Sequence, residues 1–313
     1  MGSFDNINYS LRPSKSIERS LVFEGLGRLQ AALDLNAQIY VGMGSIWFAD
    51  FLMAHRLLGI DDMVSIEADD IGYTRAEFNR PYRSVDVRHG RSGVELSAMY
   101  LSEDHRQRPW IIWLDYDGPL DEEGVEDLRN VFSGAPHNTI LLTTFSATGA
   151  AYGKPKDRHE RLKRLLGGVV PDDLDEDAIR DGLPETLASV TMDFLTSAAE
   201  VSGRPGGFVP AFKLVYTDSA TMVTVGGILP RPGARPAAKA VIDLPSWPGI
   251  VEPRITAPHL TLREAAVLQA QLPTEVPLTR DNLQGLGFDL KDEQLASYAS
   301  FYRYYPTYAQ INF

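Results

Sequence analysis

The sequence predicts an α/β chain built on an open, doubly wound and mainly parallel sheet, and three observations carry that expectation. Apolar runs alternate with helical segments in the order β-α-β-α-β-α-β-α-β between Ala37 and Thr144, the rhythm of strands with helices on both faces. The first run ends in a glycine turn, Val41-Gly-Met-Gly-Ser45, and the second ends in a carboxylate, Glu67. Two later runs, Ala211 to Tyr216 and Thr221 to Leu229, stand so close that only a hairpin can join them, so the last strand must enter antiparallel.

Each element has its own local reason. Pro13 and Ser14 suit the start of a helix on which Ile17, Leu21, Val22 and Leu26 share one face. Ala37 to Val41 is the first strand, and Trp47 to Leu58 is the helix leaving the glycine turn, halted by Gly59. Met63 to Glu67 is the second strand, and Arg75 to Phe78 starts another helix. Tyr82 to Val87 alternates as a short third strand before a turn at His89-Gly90. Pro109 to Asp115 is apolar on both faces, as a central parallel strand should be. Val125, Leu128 and Phe132 give Leu120 to Phe132 a helical spacing, and Asn138 to Thr144 is the next strand. Helices over Arg158 to Leu166 and Thr186 to Val201 precede the hairpin, and a Pro/Gly/Arg linker, Pro230 to Pro236, follows it. In the tail, Thr261 and Glu264 match a capping box, while Tyr298, Phe301, Tyr302, Tyr305 and Tyr308 make an aromatic helical face suited to a core or a dimer seam. The expected architecture is a Rossmann-like, doubly wound, mainly parallel seven-stranded sheet with an antiparallel last strand, plus a C-terminal helical extension. Residues 1–36 form an N-terminal helical segment over the site, 37–230 the core, and 231–313 the linker and extension.

Composition narrows the function. With 313 residues and 44% hydrophobic content the chain can bury one substantial core. No apolar run reaches the roughly 20 residues that cross a bilayer, and the start of the chain is polar, so no membrane and a cytoplasmic location are expected. The absence of cysteine excludes thiolate metal sites and Cys nucleophiles. A net charge of −12 argues against a broad grip on a phosphate backbone. Arg75, Arg80, Arg83, Arg88, His89 and Arg91 crowd one region, which reads first as solvated surface and second as a local nucleic-acid patch. The six histidines show no metal spacing, and His89 is the one placed near the expected cleft.

The glycine turn lets backbone approach a ligand, and an acid ending the second strand can accept hydrogen bonds from both ribose hydroxyls, which together point to an adenosine-containing ligand. The third glycine of the nicotinamide-enzyme fingerprint is absent here. Val41-Gly-Met-Gly-Ser45, Ser65-Ile-Glu67 and Leu114-Asp-Tyr-Asp-Gly-Pro119, with the closing hairpin, resemble the class I S-adenosylmethionine-dependent methyltransferases over roughly residues 37 to 229. Within that superfamily the chain is similar to an uncharacterised bacterial group labelled "putative O-methyltransferase".

The resemblance implies S-adenosylmethionine as cofactor, with Gly42, Gly44 and Ser45 at its methionine end, Glu67 on the ribose, and Val87 and Arg88 beside the adenine. Asp115, Tyr116 and Asp117 would face the sulfonium and the nucleophile as catalytic residues, Asp115 also touching the cofactor, while Lys15 and Arg19 would cover the pocket. The chain departs from the superfamily in three places. Tyr40 stands where an acid often precedes the turn; Asp115-Tyr-Asp-Gly118 is not the Asp/Asn-Pro-Pro-Tyr tetrad of amino-methylating nucleic-acid enzymes; Thr143-Thr144-Phe145 lacks the Asp-Asn pair of a catechol-type magnesium site. No metal is expected. The implied reaction is methyl transfer to an oxygen of a small molecule or protein, with a nucleic-acid methyltransferase or a non-catalytic cofactor-binding scaffold as alternatives, and a homodimer through the aromatic C-terminal helix as a further expectation.

Overall fold

The computed structural model describes residues 12–307. Seven strands, β1 (Ile39–Gly42), β2 (Asp62–Glu67), β3 (Val85–His89), β4 (Trp110–Pro119), β5 (Thr139–Ser146), β6 (Val209–Thr217) and β7 (Thr221–Leu229), form one sheet in the order β3-β2-β1-β4-β5-β7-β6. β7 runs antiparallel to both of its neighbours, and every other pair is parallel. Strand order reverses between β1 and β4, the switch point at whose carboxyl edge an open α/β sheet leaves a crevice.

Alternation along the strands feeds a core on each side. Trp110, Ile112 and Leu114 join one cluster while Ile111 and Trp113 join the other, which explains why β4 reads as continuously apolar. Helices α4 (Ser92–Leu101), α6 (Glu122–Gly134), α7 (Pro155–Leu166) and α9 (Leu183–Val201) pack on the first side, with the short α5 (Glu103–Arg106) and α8 (Glu176–Asp181) between them along the chain. On the other side lie α1 (Pro13–Leu33), α2 (Ala49–Leu58), α3 (Asp70–Asn79) and the extension, with α10 (Arg235–Ile242), α11 (Leu262–Gln269), α12 (Arg280–Gly285) and α13 (Asp292–Phe301).

α1 is squeezed between sheet and extension. A methyl on Gly25 would lie 2.7 Å from the Phe212 ring, so this helix approaches β6 more closely than any side chain would allow. The extension passes along the β6 edge, where Lys213 bridges Ile250 and Tyr216 bridges Ile255, and then folds over α1. Tyr304 donates a 2.6 Å hydrogen bond to Glu24 of α1, and the Tyr298 and Tyr305 rings meet edge-on at 5.1 Å. Tyr298, Phe301 and Tyr305 are therefore core residues of their own chain, while Tyr302 is half-buried. Tyr308 lies outside the described residues.

The start of α1 lacks a side-chain cap of its own, and the hairpin supplies one from far along the chain. Asp218, in the β6–β7 turn, accepts the N–H groups of Ser14 and Lys15 at 3.0 Å each. The Ser14 hydroxyl donates to the Thr217 carbonyl at 2.8 Å and accepts from the Ala257 N–H at 2.9 Å. A carboxylate at this end satisfies orphan donors and opposes the positive pole of the helix. Asp218→Ala is expected to destabilise the chain by about 1–2 kcal/mol, read from urea midpoints at constant slope; an unchanged midpoint would show that the clamp contributes nothing.

Candidate functional site

A cavity of about 400 Å³ opens at the carboxyl ends of β1, β2 and β4, within the range of small-molecule sites, roughly 300–1,000 Å³. Its wall includes Lys15, Arg19, Gly44, Ser45, Glu67, Asp115, Tyr116 and Asp117. Side chains more than a hundred positions apart, Lys15 and Asp117, thus meet in one crevice.

The glycine turn is shaped by contact as much as by flexibility. A methyl on Gly44 would sit 2.6 Å from the Phe48 ring and 2.9 Å from Ser65 Oγ, the atom that accepts the Gly44 N–H at 3.1 Å. Ser45 and Phe48 both take left-handed φ, 50° and 48°, a strained conformation for residues with side chains. Ser45 Oγ is buried in the protein with no hydrogen-bond partner. Gly42 stands behind the turn, packed under Tyr40, Asp50 and Phe51, and does not line the cavity.

At the end of β2, Glu67 Oε1 accepts the Asp69 N–H at 3.1 Å, and Gly72 leaves the room its carboxyl occupies, since a methyl there would lie 2.9 Å from Glu67 Cδ. Burial, with repulsion from Asp69 and Asp117 added to it, pushes this carboxyl above its ordinary pKa. β3 extends two residues beyond the expected end, to His89, so its carboxyl edge presents Gly90, Arg91 and Ser92 to the cavity. Val87 is consequently a core residue, and Arg88 turns to Asp86 at 2.8 Å. His89 stacks on Tyr73 at 4.8 Å with Nε2 3.1 Å from Asp70, outside the cavity, and is no base for it.

Asp115 ends the apolar part of β4. Its Oδ2 pairs with Lys15 Nζ at 2.7 Å, with 4% of the lysine side chain and 16% of the aspartate exposed, while Oδ1 is buried with no partner. Tyr116 lines the wall but its hydroxyl donates to Asp127 Oδ2 at 2.8 Å, an oxygen also bound by the Ser92 hydroxyl. Burial and the Asp127 charge push this phenol far above its ordinary pKa. A catalytic role for Tyr116 as base or nucleophile does not follow from this geometry; the ring is wall. Asp117 is exposed at the rim, near enough to Glu67 to act on its charge.

Beneath Asp115 lies a buried polar cluster. Burial lowers the Arg19 pKa, but Asp50, Asp115 and Glu18 more than offset it and hold the guanidinium above its ordinary value. Asp50 also accepts the Tyr40 hydroxyl at 2.7 Å, so the acid missing from the strand position of Tyr40 comes from α2. Glu18 Oε1 accepts from Thr224 at 2.7 Å, itself 2.7 Å from Thr144, whose hydroxyl accepts the Trp113 indole N–H at 2.9 Å. Glu18 Oε2 has no partner. Sequence reasoning missed Glu18, although a carboxylate beside Ile17 on the apolar face of α1 is the signal that would have found it. Among the described residues there is no metal-holding group of His, Asp and Glu, and no helix is long and apolar enough to cross a membrane.

The family model described as "Putative O-methyltransferase" matches residues 7–313. The chain belongs to that family. Membership places this O-methyltransferase family chain in the class I superfamily that its motifs resemble. No curated protein matches it. Among solved structures it is similar to Trm1 from Pyrococcus horikoshii, in complex with S-adenosyl-L-methionine, at 12% identity and a TM-score of 0.45, covering 71% of this chain and 57% of that one. It is also similar to the plantazolicin methyltransferase BamL, at 11% identity and a TM-score of 0.38, covering 69% and 86% of the two chains. The chain thus spans little more than half the length of Trm1.

Burial raises the Glu18 carboxyl from 4.5 to about 7, ahead of the opposing Thr224 hydrogen bond. Because the folded value exceeds the unfolded one, this contribution to stability is complete below pH 4.5 and is lost as pH rises to about 7. The loss is at most about 3 kcal/mol. Glu18→Gln should flatten the stability profile across that window, measured by urea denaturation between about pH 4 and 8; the same slope in both proteins would assign the titration elsewhere.

Proposed function

We propose that this chain is an S-adenosylmethionine-dependent methyltransferase whose cofactor occupies the 400 Å³ cavity and whose acceptor is a small molecule or protein presenting an oxygen. The observation that carries the reading is the convergence of the Gly44–Ser45 turn, Glu67 and Asp115 on one crevice at the switch point. Two orphaned atoms in that wall, Ser45 Oγ and Asp115 Oδ1, call for a polar ligand. When bound, the cofactor supplies a sulfonium-activated methyl group.

The chain's residues then divide by charge. Glu67 accepts the ribose hydroxyls, with Gly72 giving it room. Gly90, Arg91, Ser92 and the Tyr116 ring make the wall on the β3 side and hold the adenine. The free Asp115 oxygen accepts from the ammonium of the methionine end, while Lys15 and Arg19 attract its carboxylate. Methyl transfer is a displacement that gains most from alignment and exclusion of water, which an apolar-backed crevice roofed by α1 provides. Asp117, exposed on the rim, is the remaining candidate to orient an acceptor or take its proton. Residues 37–230 make up the catalytic core in this reading, 12–36 its cover, and 231–307 the packing behind the cover.

A nucleic-acid acceptor finds less support. Arg80, Arg88 and Arg91 are engaged by Glu77, Asp86 and Glu123, so much of the basic stretch is neutralised locally. Glu67→Ala is expected to weaken S-adenosylhomocysteine binding about tenfold or more, the scale of hydrogen bonds to a charged group, while leaving the urea midpoint near that of the parent. Calorimetric titration decides it, and equal affinity in the two proteins would remove the ribose assignment. Formation of S-adenosylhomocysteine with cell extract as acceptor separates an enzyme from a binding scaffold.

A further inference from the structure

A second cavity, of about 390 Å³, opens on the same carboxyl edge of the sheet, beyond the ends of β5 and β6 and the start of β7. Three arginines, Arg158, Arg180 and Arg254, line it against a single acid, Asp181. Two of them are already neutralised: Arg180 pairs with Asp177 and Asp181, and Arg254 grips Glu185 with two nitrogens. Arg158 differs. It is 8% exposed, and its partners are two backbone carbonyls, Gly153 at 3.2 Å from Nε and Ile179 at 2.9 Å from Nη1.

No carboxylate pairs with Arg158 among the described residues. A guanidinium taken out of water is costly unless a counter-charge meets it, and carbonyl dipoles replace only part of that. Its third nitrogen, Nη2, occupies the space in front of Gly149, 2.6 Å from where a side chain would begin, and Gly149 itself lines the cavity. The fold thus fixes two nitrogens of this fork and keeps bare backbone around the third.

We propose that this cavity is an anion site that takes the carboxylate or phosphate group of the methyl acceptor. The assignment to an acceptor rests on the methyltransferase reading above. The site adjoins the first cavity through the opening turn of α1, since Ser14 bonds the carbonyl of Thr217, which lines the second cavity, and the next residue, Lys15, lines the first. Arg158 holds the anion by charge-assisted hydrogen bonds, while Arg180 and Arg254 stay paired with their own carboxylates at the mouth.

The test is calorimetric titration of the full chain with inorganic phosphate and, separately, acetate, each against sodium chloride of matched ionic strength. S-adenosylhomocysteine is titrated in parallel. Saturable binding of one anion is expected, weakened about tenfold or more in Arg158→Gln, and the stronger of the two anions identifies phosphate or carboxylate. Arg158→Gln also loses the brace to Gly153 and Ile179, so Gly149→Ala is the second variant. It keeps the guanidinium but crowds Nη2, and it too should weaken the anion while S-adenosylhomocysteine affinity stays within about twofold, as sites without shared partners behave. Binding no stronger than the chloride control, or equal anion affinity in the parent and Gly149→Ala, overturns the site. Anion binding without S-adenosylhomocysteine binding overturns its assignment to a methyl acceptor and leaves an anion site alone.

Discussion

The Lys15–Asp115 ion pair, almost entirely out of water, ties the N-terminal helix to the end of the central strand. Such a pair adds little net stability, because desolvation cancels most of the attraction, yet removing one partner leaves a buried charge and costs about 3–5 kcal/mol. Its effect is positional. It sets where α1 crosses the carboxyl edge of the sheet and so where the cavity has a wall. The hairpin carboxylate of Asp218 fixes the same turn of helix from the other side, which makes β4, α1 and the β6–β7 turn one mechanical unit.

That unit explains the C-terminal extension. α1 carries the buried Lys15 and Glu18 toward the sheet among apolar residues, with the half-buried Arg19 beside them, a combination that a helix on an open surface would not hold. Leu268, Leu283, Tyr298 and Tyr305 pack over it and join the same core as Leu26 and Leu29. The extension lines no part of the cavity among the described residues. It acts on the site through α1, by burying the back of a helix whose front holds the charges.

The sheet was legible because its signals are local: apolar runs of strand length, a glycine turn, and two runs too close for a crossover. Even the antiparallel β7 followed from spacing. The resemblance put Gly44, Ser45, Glu67, Asp115, Tyr116, Asp117, Lys15 and Arg19 around one ligand, and these do share a cavity. What failed depended on register or on distant partners. Val87 and Arg88 were misplaced because β3 runs on to His89, and two residues of extra strand carry its edge past them. Tyr116 read as a reactive group because Asp127 and Ser92, which claim its hydroxyl, lie on other helices. Neither is visible from the Asp-Tyr-Asp-Gly stretch alone. The second cavity was equally hidden, since Gly149, Arg158 and Thr217 meet only through tertiary packing.

Tyr40 shows how a departure from a motif can be absorbed. A phenol at the second position of the inner strand would leave the region behind the glycine turn without a carboxylate. Asp50, in the first turn of α2, reaches back to the Tyr40 hydroxyl and places its charge beside Arg19. The strained φ of Phe48 at the head of α2 turns that helix immediately after the glycines. Ring contacts of Phe51 with Tyr40 and Phe48, at 5.0 and 5.3 Å, lock the arrangement. The acid of this region stands on a helix rather than on the strand, and Arg19 on α1 is the cation it meets. The α1 cover and this turn are therefore coupled, since Arg19 is the cation that offsets the burial of Asp50, and burial already pushes that carboxyl toward its protonated form.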